Sequence, residues 1–140
     1  LFCIFHIVDS VPSWYNKNNE GADQMESMVT FYPCLNIEET TAFYTEIIGL
    51  KIYQDQGLCK IFDTGYGYLG FCEYIDHVLA TKVCISFNLK DKQAVDQKYK
   101  EMKALNMQGL TKPQKHPQFE VYSFFMQDVN GYTLEFQKIL

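Results

Sequence analysis

At 140 residues the chain is one domain's worth of protein, enough to bury a core without help from disulfides. Its net charge of −5 and the lack of a basic stripe argue against a nucleic-acid partner. Although 47% of residues are hydrophobic, no apolar run is long enough to span a bilayer, so no membrane role is expected. The five cysteines (Cys3, Cys34, Cys59, Cys72, Cys84) are scattered, odd in number and without CxxC spacing. That usage predicts reduced thiols in a cytoplasmic protein, with neither a disulfide frame nor a zinc site.

In chain order, residues 1–27 stand apart. An apolar start, LFCIFHIVDS, gives way to the polar, turn-rich VPSWYNKNNEGADQ. The stretch lacks the basic n-region and small-residue cleavage site of a secretory signal, and it is read as an N-terminal extension of unknown role. Phe2–Val8 is a candidate extra edge strand within it. The domain proper is expected to span 28–140, as two modules, 28–78 and 79–140.

Val29–Cys34 reads as a short strand. Asn36, with Glu39 three residues on, is an N-cap signal; Phe43, Tyr44, Ile47 and Ile48 follow at helical spacing, and Gly49 ends the helix. Three strands are predicted next, at Lys51–Gln54, Leu58–Thr64 and Tyr66–Tyr74, separated by Gln-Gly and Gly-Tyr-Gly turns. The cycle then restarts. Val83–Leu89 alternates as a strand, and Asp91 caps a helix with Val95, Tyr99, Met102 and Leu105 on its apolar face. The Lys- and Glu-rich remainder of that helix, within Lys90–Lys103, reads as a solvated surface. The last strands are expected at Gly109–Thr111, Val121–Gln127 and Tyr132–Lys138, with Asn130-Gly131 turning the final hairpin. The Pro-flanked segment Lys112–Pro117 is expected to rim a pocket mouth.

The halves repeat at an offset of about 55 residues, Val29 matching Cys84 and Asn36 matching Asp91. This predicts an α+β fold of duplicated βαβββ modules, whose curved mixed sheets enclose a central pocket. Four stretches carry a family likeness: AFYTEIIGLKIY (Ala42–Tyr53), YLGFCEY (Tyr68–Tyr74), CISFNLKD (Cys84–Asp91) and QDVNGYTLEFQ (Gln127–Gln137). Together they resemble the vicinal oxygen chelate superfamily of glyoxalases, bleomycin- and fosfomycin-resistance proteins and extradiol dioxygenases. In its metal-using members, His, Glu or Gln ligands stand on the first and last strands of each module. By that likeness the equivalent positions here are Val29, Gly70, Cys84 and Glu135. Only Glu135 matches. One carboxylate does not hold Mn, Fe or Zn, so no metal and no cofactor are expected.

Strand alternation places Phe31, Tyr68, Cys72, Ser86 and Thr133 on the concave face with Glu135 and Cys84, while Phe119 and Tyr122 are further candidate pocket rings. Phe31 and Tyr68 are equally consistent with plain core. Cys72 and Cys84 read better as apolar thiols than as nucleophiles, because no His stands at a repeat-related position. Glu135 is a candidate acceptor or general base inside an apolar cup, with a salt-bridged carboxylate as the plainer alternative. The resemblance thus implies a metal-free protein binding a small aromatic or cationic molecule, working as a homodimer. A lyase, isomerase or dioxygenase using Glu135 with an atypical metal or as a base is the alternative. A third possibility is a fold whose pocket has filled with side chains.

Overall fold

A computed structural model describes residues 26–140, so the strand expected at Phe2–Val8 lies outside the described residues. The two modules fold alike. The first consists of β1 (Val29–Cys34), α1 (Ile37–Ala42) with a π-helical turn (Phe43–Ile47), β2 (Lys51–Asp55), β3 (Cys59–Asp63) and β4 (Tyr68–Glu73). The second consists of β5 (Cys84–Asn88), α2 (Lys92–Ala104), β6 (Gln114–Lys115), β7 (Val121–Gln127) and β8 (Thr133–Ile139). The sheet orders β1-β4-β3-β2 and β5-β8-β7-β6 repeat one topology, with a parallel first pair and antiparallel neighbours. This is the α+β arrangement that the duplicated pattern predicts.

Local chemistry starts both helices as expected. The Asn36 side chain accepts from Glu39 N at 2.9 Å, and that of Asp91 from Ala94 N at 2.8 Å. The first helix then widens into a π-turn, with Ile48 N donating to Phe43 O across five residues. Two threonines donate back into this helix, Thr41 to Ile37 O and Thr45 to Thr41 O, an arrangement that bends helices. The turn buries Phe43 and Tyr44 against the first sheet. On α2, Val95 and Met102 are buried as expected, whereas Leu105 at the C-cap is exposed.

Each sheet packs one face on its own helix. Phe62 and Phe71 meet Tyr44, and Phe124 meets Tyr99 of α2 and stacks on Phe136. These rings form one continuous core with Leu69, Met126 and Leu134. The opposite faces carry the site.

The modules are joined by the Asp128–Gly131 turn. Asp128 Oδ2 accepts from the buried Tyr44 hydroxyl at 2.8 Å, and its Oδ1 from Asn130 N and Tyr132 N. Asn130 accepts from Leu35 N and donates to Thr40 Oγ1, while Tyr132 OH donates to Pro33 O at 2.6 Å. A stretch read from sequence as a tight hairpin turn is therefore also the seam between modules. Burial pushes the Asp128 carboxyl above its ordinary pKa, and the hydrogen bonds it accepts oppose that rise.

Two expectations are corrected here. The strand expected at Gly109–Thr111 is absent; Gly109 sits at φ +64°, and Thr111 meets Phe125 through one backbone bond and one side-chain bond. Pairing resumes only after Pro113, at β6, because proline cannot donate to a ladder. Within Lys112–Pro117, Gln114 and Lys115 are thus paired at the sheet edge. Second, Cys59 and Cys72 are joined by a disulfide. They are directly opposed on β3 and β4, with Cα atoms 4.1 Å apart, the close approach of a facing antiparallel pair. The bond removes the basis for reading all five cysteines as reduced thiols, and with it that ground for a cytoplasmic location. No helix among the described residues is long and apolar enough to cross a membrane.

Candidate functional site

The edge strands β1 and β5 face each other across a cleft of about 560 Å³. Tyr68, Cys84 and Ser86 line it together with Thr30, Tyr32 and the exposed Tyr66. Ser86 Oγ donates to Glu135 Oε2 at 2.5 Å, and the Cys84 sulfur lies 3.9 Å from the same hydroxyl. Register fixes this grouping, since Ser86 pairs with Glu135 and Cys84 with Thr133 along the parallel β5–β8 ladder. One carboxylate, one hydroxyl and one thiol thus share the open face. Glu135 has a donor beside it and is not salt-bridged to a lysine; the ion pairs of the described residues involve other carboxylates.

The sulfur is poorly suited to nucleophilic attack. Loss of water around it raises the Cys84 pKa; the Ser86 hydrogen bond works the other way, and Glu135 adds to the rise. A thiol held protonated offers little thiolate at neutral pH.

In the first module the equivalent place holds an aromatic ring. Phe31 pairs with Gly70 across β1–β4, just as Ser86 pairs with Glu135. The Phe31 ring lies on the glycine backbone, so a Cβ at position 70 would stand 2.3 Å from its Cδ1. Tyr68, two residues along, packs against Tyr53 with ring centroids 4.3 Å apart and the planes tilted by 40°.

Of the four positions at which metal-using relatives carry ligands, Val29 and Gly70 have no donor, Cys84 offers a thiol and Glu135 a carboxylate. Phe31 occupies the space that a ligand side chain at 70 needs. Among the described residues, no three His, Cys, Asp or Glu side chains converge as a metal cluster. This donor set does not fit the divalent ion of the family.

The remaining candidates disperse. Cys72 is buried, with its sulfur committed to Cys59. Tyr122 lies on the helix-facing side of β7, where its hydroxyl donates to Asp96 of α2 at 2.7 Å. It fails to join the cup because it stands an odd number of residues from Phe125, the partner of Glu135. Phe119 is in the β6–β7 turn, stacked on His116, beyond the Val121–Ile139 pair. At about 3.3 Å per residue this sets it more than about 13 Å along the strand from Glu135. The ring directly opposite Glu135 is the half-buried Phe125, a position legible by counting outward from the Asn130-Gly131 turn.

The chain matches the model of the Glyoxalase/Bleomycin resistance protein/Dioxygenase superfamily over residues 22–136, and it belongs to that family. Among solved structures, it is similar to lactoylglutathione lyase from Agrobacterium tumefaciens, at 19% identity and a TM-score of 0.68. That match covers 84% of this chain and 96% of the other. It is also similar to the fosfomycin resistance protein FosX from Listeria monocytogenes, at 18% identity, TM-score 0.63, covering 84% and 93%. A glyoxalase/bleomycin resistance protein/dioxygenase family enzyme from Burkholderia phytofirmans PsJN matches at 18% identity and TM-score 0.68, covering 80% and 97%. At these identities the likeness concerns the fold. No curated protein matches by sequence.

Proposed function

We propose that this protein binds a small aromatic or cationic molecule in the cup between its modules, without a resident divalent ion. The observation that carries the reading is the pairing of Phe31 with Gly70: an aromatic ring covers the position where a first-module ligand would stand. What remains is a cleft lined by rings and the Ser86 hydroxyl, with one carboxylate, Glu135, held beside it by Ser86. Such a cup favours a planar group against Phe31 or Tyr68 and a donor or cation against Glu135. A two-fold homodimer is part of the proposal. Exposed Val29, Ile52 and Tyr53 on the first sheet supply apolar surface for it to cover.

Metal analysis of the purified protein, together with thermal shifts against benzyltrimethylammonium and a panel of phenols, tests the reading. The expected result is no stoichiometric metal and a raised melting temperature with at least one ring compound, lost in Glu135→Gln or Phe31→Ala. Stoichiometric Mn, Fe, Ni or Zn that disappears in Glu135→Ala would overturn it. Uniformly null shifts would favour the filled-pocket alternative. A second reading, an enzyme with Glu135 as base, draws support from the short Ser86–Glu135 hydrogen bond, which aims a carboxylate at a hydroxyl on the open face. Turnover of a supplied substrate that vanishes in Glu135→Gln would establish it.

A further inference from the structure

A second cleft lies on the other side of the second sheet, between the C-terminal half of α2 and the segment leading into β6. It is an open groove of about 570 Å³, and the rings of Tyr99 and Tyr122 are in its lining. Both rings are fixed in place. Tyr99 packs edge-on against Phe124 at 5.7 Å, and Tyr122 is tethered by its hydrogen bond to Asp96. Lys100, Lys103 and Lys112 form the walls, with Pro113 closing one side.

The lysines are the informative part. Lys103 Nζ stands 6.0 Å from the centroid of Tyr99, and Lys92 Nζ stands 5.6 Å from that of Tyr122. Lys60, Lys98 and Lys115 each meet a carboxylate within 4 Å, but among the described residues Lys92, Lys100, Lys103 and Lys112 do not. The one carboxylate in the wall, Asp96, accepts from Tyr122 and keeps its charge, so the lining holds three ammonium groups against one carboxylate. With Lys92 beside Tyr122, the cleft is a local positive excess in a chain of net charge −5. Like charges at such a site repel one another until an anion enters. The lysine-rich face of α2, read from sequence as merely solvated, therefore borders an open groove with two rings in its lining.

We propose that this cleft is a second binding site, one that takes a planar aromatic anion of the aryl phosphate or aryl carboxylate class. The ring of such a ligand lies against Tyr99 or Tyr122, and its anionic head meets Lys100, Lys103 and Lys112. The site is independent of the cup. Tyr122 and Glu135 are on opposite faces of the sheet, so the proposal stands or falls apart from the function proposed above.

Calorimetric titration at 150 mM salt with phenyl phosphate, inorganic phosphate and phenol is the test, because exposed charges are largely screened there beyond about 8 Å. Phenyl phosphate is expected to bind at least fivefold more tightly than either fragment. The double variant Lys103→Gln/Lys112→Gln, with an unchanged circular dichroism spectrum, is expected to weaken it at least tenfold, and Glu135→Gln to leave it unaltered. Equal binding of phenyl phosphate and inorganic phosphate, or indifference to the lysine substitutions, would overturn the proposal. So would loss of binding in Glu135→Gln, which would place the ligand in the cup. A polyglutamate peptide that binds where phenyl phosphate does not would overturn it in favour of an acidic protein partner.

Discussion

Placing a methyl group at position 70 tests the contact on which the functional reading rests. In Gly70→Ala the new Cβ would stand 2.3 Å from Phe31 Cδ1 and 3.0 Å from Cγ, so the ring must leave its seat. Over-packing of this kind costs about 1–3 kcal/mol. Phe31 is 41% exposed, so roughly three-fifths of a side chain that buries about 150–250 Å² is covered. That is about 90–150 Å², or at most about 2–4 kcal/mol of apolar burial, and Phe31→Ala should lose about 1–3 kcal/mol of it. If the clash is the cause, the two losses do not add. In the double variant the methyl meets no ring, so urea unfolding should report a coupling energy of about 1–2 kcal/mol. The same ring movement should weaken binding of any ligand that stabilises the parent protein. Additive losses in unfolding, or a Gly70→Ala protein as stable as the parent, would refute the ring-on-glycine contact.

Three further outcomes are expected. Alkylation of the denatured, non-reduced protein should spare Cys59 and Cys72, and reduction should cost about 2–3 kcal/mol in urea unfolding, given the 13-residue separation of the two cysteines; full alkylation would show both thiols free. Asp128→Asn should change the pH profile of stability. The folded carboxyl titrates above its unfolded value of about 3.9, so its stabilising contribution is present below that pH and is lost as pH rises through the folded pKa. Relative to the parent, Asp128→Asn should thus gain ground as pH rises above about 4, and a pH-independent difference would contradict the assigned burial cost. Finally, Phe31→Ser/Gly70→Glu, which copies the Ser86–Glu135 pair into the first module, should unfold at higher urea than Gly70→Glu alone; the reverse order would show that the two modules do not share this register in solution.

What the sequence disclosed was local. Asn36 and Asp91 cap helices wherever an extended residue precedes a helical run, so both helix starts were legible. Val29–Cys34 and Val121–Gln127, rich in β-branched and aromatic residues, form strands at those bounds. What stayed hidden depended on register. Whether Cys59 faces Cys72 follows from the length of the turn at residues 64–67, closed by Thr64 N donating to Gly67 O, and the Gly-Tyr-Gly letters alone do not set that length. The error at Tyr122 was of the same kind, since one step along a strand carries a ring from the cup to the helix side. The seam at Asp128 and Asn130 was hidden for a different reason. Residues suited to a tight turn by backbone preference are also good hydrogen-bonding partners for distant groups, and only the fold reveals which those are.

The two modules keep one register and have diverged in chemistry, and the divergence is paired within each. Where the second module has a carboxylate at 135, it has a hydroxyl at 86 to donate to it. Where the first has glycine at 70, it has a ring at 31 lying on the bare backbone. Neither member of a pair is comfortable with the other module's partner. A carboxylate under the Phe31 ring would lose water without gaining a donor, and a serine over Gly70 would leave that backbone uncovered. Placing an oxygen donor at position 70 therefore takes two coordinated substitutions, with a destabilised intermediate after either one. An exposed position such as Val29 would take only one. At position 70 the Phe31 ring lies over the bare backbone, so packing as well as the missing side chain keeps a ligand from standing there.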